Sequence, residues 1–115
     1  MQHRLFRLAF YGAVLAFTVL ALIPSNEVPK ALAFWDKAQH ALAFAVLMAS
    51  GVLAYPARVG RLTLAMVAYG GLIEVAQSTL TTTRVGDIWD WIADSIGVLL
   101  VVGLFAVWAR LKRLR

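Results

Sequence analysis

The chain has 115 residues, 62% of them hydrophobic and only 15% charged, with a formal net charge of +5 and a mean hydropathy of +0.78. Soluble domains carry about a quarter charged residues, so the composition excludes an ordinary soluble fold. Without a soluble domain to present a basic surface it also excludes a nucleic-acid partner. Cysteine is absent, which removes disulfides, thiolate catalysis and Cys-based metal sites.

Four apolar stretches follow one another, roughly 8–23, 38–55, 62–80 and 88–109. Each is close to the ~20 residues a helix needs to cross ~30 Å of hydrocarbon. They predict an all-α integral membrane bundle of four transmembrane helices, one domain over residues 1–115, with the lipid bilayer as its solvent. The first stretch follows MQHRLFR and has the layout of a secretory signal. It ends in ALIPSNEV without a small-x-small cleavage pattern, so it reads as a retained helix closed by Pro24. In the connection SNEVPKALAFW, Pro29 suits the first turn of a short interfacial helix. The second stretch carries Ala41, Ala45 and Ala49 at every fourth position, a seam that lets another helix approach closely; Gly70 and Gly71 offer the same in the third. Pro56 and Gly60 turn the chain in YPARVGR, and the hydroxyl-rich TLTTTRVG leads to Asp87.

Basic residues give the orientation. Arg4, Arg7, Arg58, Arg61, Arg110, Lys112, Arg113 and Arg115, eight of the eleven, fall on one side; Lys30, Lys37 and Arg84 fall on the other. Basic flanks stay cytoplasmic, so both termini are expected in the cytoplasm. All six acids lie in the outer loops or outer helix halves. Trp35, Trp89 and Trp91 suit the outer interface, and Trp108 and Tyr55 the inner one.

The polar residues gather on three helix faces. Asp36 and His40 are four apart, Glu74, Gln77 and Ser78 stand at i, i+3, i+4, and Asp87, Asp90 and Asp94 at i, i+3, i+7. Counting about 1.5 Å of rise per residue puts Glu74 and Asp94 some 9–10 Å inside, with His40 nearer the surface. One outward-opening pocket made by the second, third and fourth helices is the economical arrangement. An acid at a helix centre costs about 2.5–3.5 kcal/mol on insertion scales, so Glu74 and Asp94 are functional-site candidates by default.

Plainer readings stand beside this one. Asp87 is a good N-cap, and Asp90 then favours the helix dipole. Asp36 with Gln39 resembles a capping box. Lys37 can snorkel, Arg84 can be a counter-ion, and Gln77 and Ser78 can serve as interhelical glue. The five acids Asp36, Glu74, Asp87, Asp90 and Asp94 against Lys37 and Arg84 leave a formal −3. Crowded carboxylates cannot all remain ionised unaided. Protonation, a charged His40 or a bound cation would relieve them, and oxygen ligands with one imidazole suit Mg²⁺, Mn²⁺ or Zn²⁺. A divalent metal ion is thus a candidate cofactor, with His40, Glu74, Asp87, Asp90 and Asp94 as candidate ligands. The inner helix halves are almost wholly apolar, which argues against a transport path through one protomer.

DKAQH at 36–40, GGLIEVAQ at 70–77 and RVGDIWDWIADSIG at 84–97 together resemble the VanZ-like family of small bacterial membrane proteins. The resemblance implies a multi-pass protein of the bacterial cell (inner) membrane. It sets Asp36, Lys37, His40, Glu74, Gln77, Arg84, Asp87, Asp90 and Gly97 at the family's characteristic positions. Asp94 stands where Asn is more usual, and Phe44 where Tyr often stands. Low-level glycopeptide resistance is attached to the family's namesake, so binding of a cell-envelope component or a glycopeptide is the leading functional expectation. The envelope component would be a lipid-linked cell-wall precursor or a lipid headgroup. Asp36, Lys37, Gln77, Arg84, Asp87, Asp90 and Asp94 would bind it. A metal-dependent hydrolase or transferase, with His40 or Glu74 as general base, is the first alternative. A non-catalytic assembly protein, its polar cluster locking the helices, is the second.

Overall fold

The computed structural model describes residues 2–23, 36–82 and 87–114. Four helices account for nearly all of them: α1 (Gln2–Leu22), α2 (Asp36–Ala54), α3 (Val59–Leu80) and α4 (Ile88–Arg113). All four are long and apolar enough to cross a membrane. α1, α3 and α4 outrun the apolar stretches at their basic ends. Arg110, Lys112 and Arg113 occupy the last turn of α4, where cations favour the helix dipole, and long basic side chains can lie along a helix end with their heads in water.

The break between α2 and α3 follows from Pro56. Proline disfavours helical backbone in the residue before it, and Tyr55 accordingly leaves the helix at φ −137°, ψ 66°. A single 3-10 turn, Pro56–Arg58, then starts α3. At the other end of the bundle α1 stops with the Ile23 N–H bonded to Val19 O at 3.0 Å. Pro24, the segment around Pro29, Trp35 and Arg84 lie outside the described residues.

The burial pattern is that of a bundle in lipid. Leu64 is 74% exposed and Leu104 69%, whereas Asp94 is 0% exposed. Phe10, Phe44, Leu47, Met48, Val52, Leu62, Met66 and Val98 form the apolar core. It fills the middle of the bundle and its basic end, leaving the acid end to polar groups. Hydroxyls are kept from the hydrocarbon by turning back on their own helices: Thr18, Thr63, Thr79 and Ser95 each donate to the carbonyl four residues earlier.

With little hydrophobic force to drive helices together in lipid, close packing has to do the work. The tightest approach is α4 on α2. A Cβ added at Gly97 would overlap the carbonyl oxygen of Ala41 and lie 3.1 Å from the Ala45 nitrogen. Ala41 and Ala45 thus form the expected seam; Ala49 is exposed and falls off it. Gly70 makes room of a different kind, since its Cβ would stand 2.9 Å from Asp94 Oδ2 and 3.2 Å from Trp91 Cδ1.

This packing makes a prediction. Gly97→Ala forces backbone apart rather than a flexible side chain aside, and overpacking of that kind costs about 1–3 kcal/mol. Gly103→Ala, with nothing within 4 Å of the added atom, should cost nothing. Unfolding of the two variants in detergent micelles, compared with wild type, checks both expectations.

Candidate functional site

At the acid end, α2, α3 and α4 bring their polar faces together. The N-terminus of α4 is built first. Asp87 has extended backbone (φ −146°, ψ 148°) and caps the helix. Its Oδ1 accepts from the Trp89 N–H at 2.5 Å and the Asp90 N–H at 3.2 Å. The Asp87 N–H in turn donates to Glu74 Oε2 at 2.9 Å. A carboxylate on α3 therefore fixes where α4 begins.

Lys37 does more than reach toward the interface. From α2 it reaches across to α4, with Nζ 3.1 Å from Asp87 Oδ2 and a second ion pair to Asp90. The Lys37 ammonium holds the Asp87 carboxyl below the usual aspartate range, helped by the two backbone N–H groups of the cap.

His40 lies at the centre. Its Nδ1 is 2.7 Å from Asp94 Oδ1 and 3.8 Å from Glu74 Oε1, and its Nε2 is 3.8 Å from Asp90 Oδ2. An ionised Asp94 can only accept, so in that state Nδ1 carries the proton and the ring is held in one orientation. Counting rise along each helix puts His40 nearer the surface than Glu74 and Asp94, yet its ring reaches Asp94 at 2.7 Å and Glu74 at 3.8 Å. His40, Glu74, Asp90 and Asp94 are all buried, and the part-exposed Lys37 and Asp87 form the rim.

Glu74 Oε1 is fully buried and has no hydrogen-bond partner among the described residues. One nitrogen of His40 and one oxygen each from Glu74 and Asp90 lie within 4.8 Å of one another. Ligands about 2.1 Å from a metal ion stand roughly 3–4 Å apart, so the three residues need little movement to share a cation. Glu74, Asp87, Asp90 and Asp94 against Lys37 leave a formal −3 here with His40 neutral, and a divalent ion would offset most of it.

The other predicted residues distribute as follows. Asp36 is the first residue of α2; its side chain, and with it the capping box to Gln39, lies outside the description, as does all of Arg84. Gln77 is buried, and its Nε2 donates to Ala21 O at 3.0 Å, so it fastens α3 to the end of α1. Ser78 is exposed and faces away from the cluster. The wall supplied by α1 is not evident from the sequence. Phe17 stands edge-on to His40 at 6.3 Å and to Phe44 at 5.0 Å, and Phe44 lies against Tyr69 at 5.8 Å. Aromatic residues in an apolar run give no signal of such a role.

The fold and the site define the class: a four-pass membrane protein with buried acids and a histidine gathered at one end of its bundle. The chain belongs to the VanZ/LLP1 family, whose model matches residues 4–109. No curated protein sequence and no solved structure matches it.

The Asp87 cap is testable through pH. A carboxyl held below its ordinary value stabilises the fold fully above that value and loses its contribution as pH falls through the lowered one. Asp87→Ala should therefore melt below wild type at neutral pH. The gap should close on acidification below about 4, the ordinary carboxyl range. Asp87→Asn, which still caps but loses the charge facing Lys37, should fall between them in thermal melts at pH 7.

Proposed function

We propose that the acid end binds the phosphate-bearing headgroup of a cell-envelope lipid, or of a lipid-linked cell-wall precursor, through a divalent cation held by His40, Glu74 and Asp90. The observation that carries this reading is the convergence, within 4.8 Å, of one ligand atom from each of three buried residues, one of which, Glu74, has a buried oxygen without a hydrogen-bond partner among the described residues. Negative charge without a cation would repel a phosphate. With the ion in place, Lys37 and the rim at Asp87 provide the polar approach. The distribution of basic residues supports an outward-facing site in the cell membrane of a bacterium.

Chemistry on the bound headgroup, hydrolysis or group transfer, is the second reading. It is favoured by the His40–Asp94 contact of 2.7 Å. A carboxylate behind a histidine fixes its tautomer and raises its basicity, which serves a metal ligand and a general base alike. Glycopeptide resistance would be a consequence of either activity in the envelope.

Metal content tests the proposal. Protein purified in detergent, stripped with chelator and reloaded separately with Mg²⁺, Mn²⁺ or Zn²⁺, should hold one ion per chain of at least one of these metals by elemental analysis. Glu74→Gln and Asp90→Asn should lose it, with helicity by circular dichroism confirming that they fold. Asp94→Asn should weaken affinity about 10–100-fold, the usual cost of disturbing a residue behind a ligand. Ser78→Ala should change nothing. A wild type that takes up none of the three, or folded Glu74 and Asp90 variants that bind as well as wild type, would sink the proposal.

A further inference from the structure

A second site lies at the opposite end of the bundle. There α1 and α3 diverge and leave a groove of about 400 Å³, with Phe10, Val14 and Met66 along its walls and Arg58 and Arg61 at its mouth. Tyr11 and Tyr55 also line it, and their hydroxyls are hydrogen-bonded to each other at 2.9 Å. One hydroxyl proton is used in that bond; the other is free to be donated outward. Arg7 stacks over the Tyr55 ring at 4.6 Å, which sets the ring in place and adds a third positive charge. Every described acid, Asp36, Glu74, Asp87, Asp90 and Asp94, sits at the other end. The groove thus joins an apolar trough to a concentration of positive charge and hydroxyl donors.

We propose that this groove holds one anionic phospholipid from the leaflet at the basic end. Its phosphate lies against Arg58 and Arg61 and takes a hydrogen bond from the tyrosine pair, and an acyl chain lies in the trough between α1 and α3. Guanidinium groups match phosphate oxygens in pairs, and the apolar walls suit the chain. General attraction of lipid to a basic surface would not need the trough. Arg110 and Arg113 carry the same charge on the last turn of α4 but do not line the groove, so they separate site from surface.

The experiment is native mass spectrometry of the full chain from micelles containing equal dioleoyl phosphatidylglycerol and dioleoyl phosphatidylcholine. Wild type should retain one phosphatidylglycerol with a roughly thirtyfold preference, since two basic side chains each contribute about fivefold. Arg58→Ala/Arg61→Ala should abolish the preference, and Arg110→Ala/Arg113→Ala should keep it. Ala65→Phe, which narrows the groove while leaving every charge in place, should lose the lipid too. Equal retention of the two lipids by wild type would overturn the proposal. So would an Arg110/Arg113 variant as impaired as the Arg58/Arg61 one, or an Ala65→Phe protein that still prefers phosphatidylglycerol.

Discussion

Carboxylates carried toward hydrocarbon need partners, and this bundle is organised around partnering four of them, three buried and Asp87 at the rim. Asp94 on α4 meets His40 on α2. Asp87 and Asp90 on α4 meet Lys37 on α2. Glu74 on α3 accepts the backbone N–H of Asp87. Each partnership joins two helices, so the groups that are most expensive to bury also determine how the helices are assembled at that end. The close backbone approach at Gly97 serves this arrangement, and Gly70 leaves the volume that the Asp94 side chain occupies. Small residues bring the helices near enough for short polar side chains to reach.

The two ends of the molecule are built on different principles. Acids, a histidine and a lysine converge at one end, and arginines and tyrosines gather at the other. Between them Phe44, Leu47, Met48 and Val98 are almost completely buried, and Phe17, Phe44 and Tyr69 stack against one another. Within this layer the Tyr69 hydroxyl is bonded to Thr18 and donates to Val14 O at 3.3 Å. Phe44 belongs to this layer, edge-on to Phe17 and beside Tyr69. Asp94 stands behind the histidine, at the one position in the cluster with no exposure at all.

Much of this was legible in the sequence, because lipid imposes a simple code. Helix number followed from length and hydropathy, and the break at Pro56 from the proline. The Asp87 cap followed from an aspartate placed before an apolar run with an acid three residues on. The candidate site was legible for a related reason. Apolar runs that must pass through hydrocarbon make every acid conspicuous, and the i, i+3, i+4 spacings show which acids share a face. For Lys37 the spacing leaves snorkelling and reaching across to another helix open, since the two look alike in one dimension; its ion pairs run to Asp87 and Asp90 on the α4 side. Ser78 was grouped with Glu74 and Gln77 by spacing, yet it faces outward because α3 turns its buried face toward α4 and α1 on the side of Gly70, Glu74 and Gln77.

By itself, then, the sequence determined that the chain lives in a membrane, how many helices it has, which end of each is polar and which residues must find partners. Those are properties of single helices and of their transfer into lipid. The tertiary structure decided which partner each residue takes: His40 with Asp94, Lys37 with Asp87 and Asp90, Glu74 with the start of α4, Gln77 with the end of α1. It also decided that Phe17 closes the site and that α1 and α3 part around the arginines. These depend on the relative heights and rotations of the helices. They are fixed where Gly97 meets Ala41 and Ala45, by contacts between backbones that no one-dimensional spacing contains.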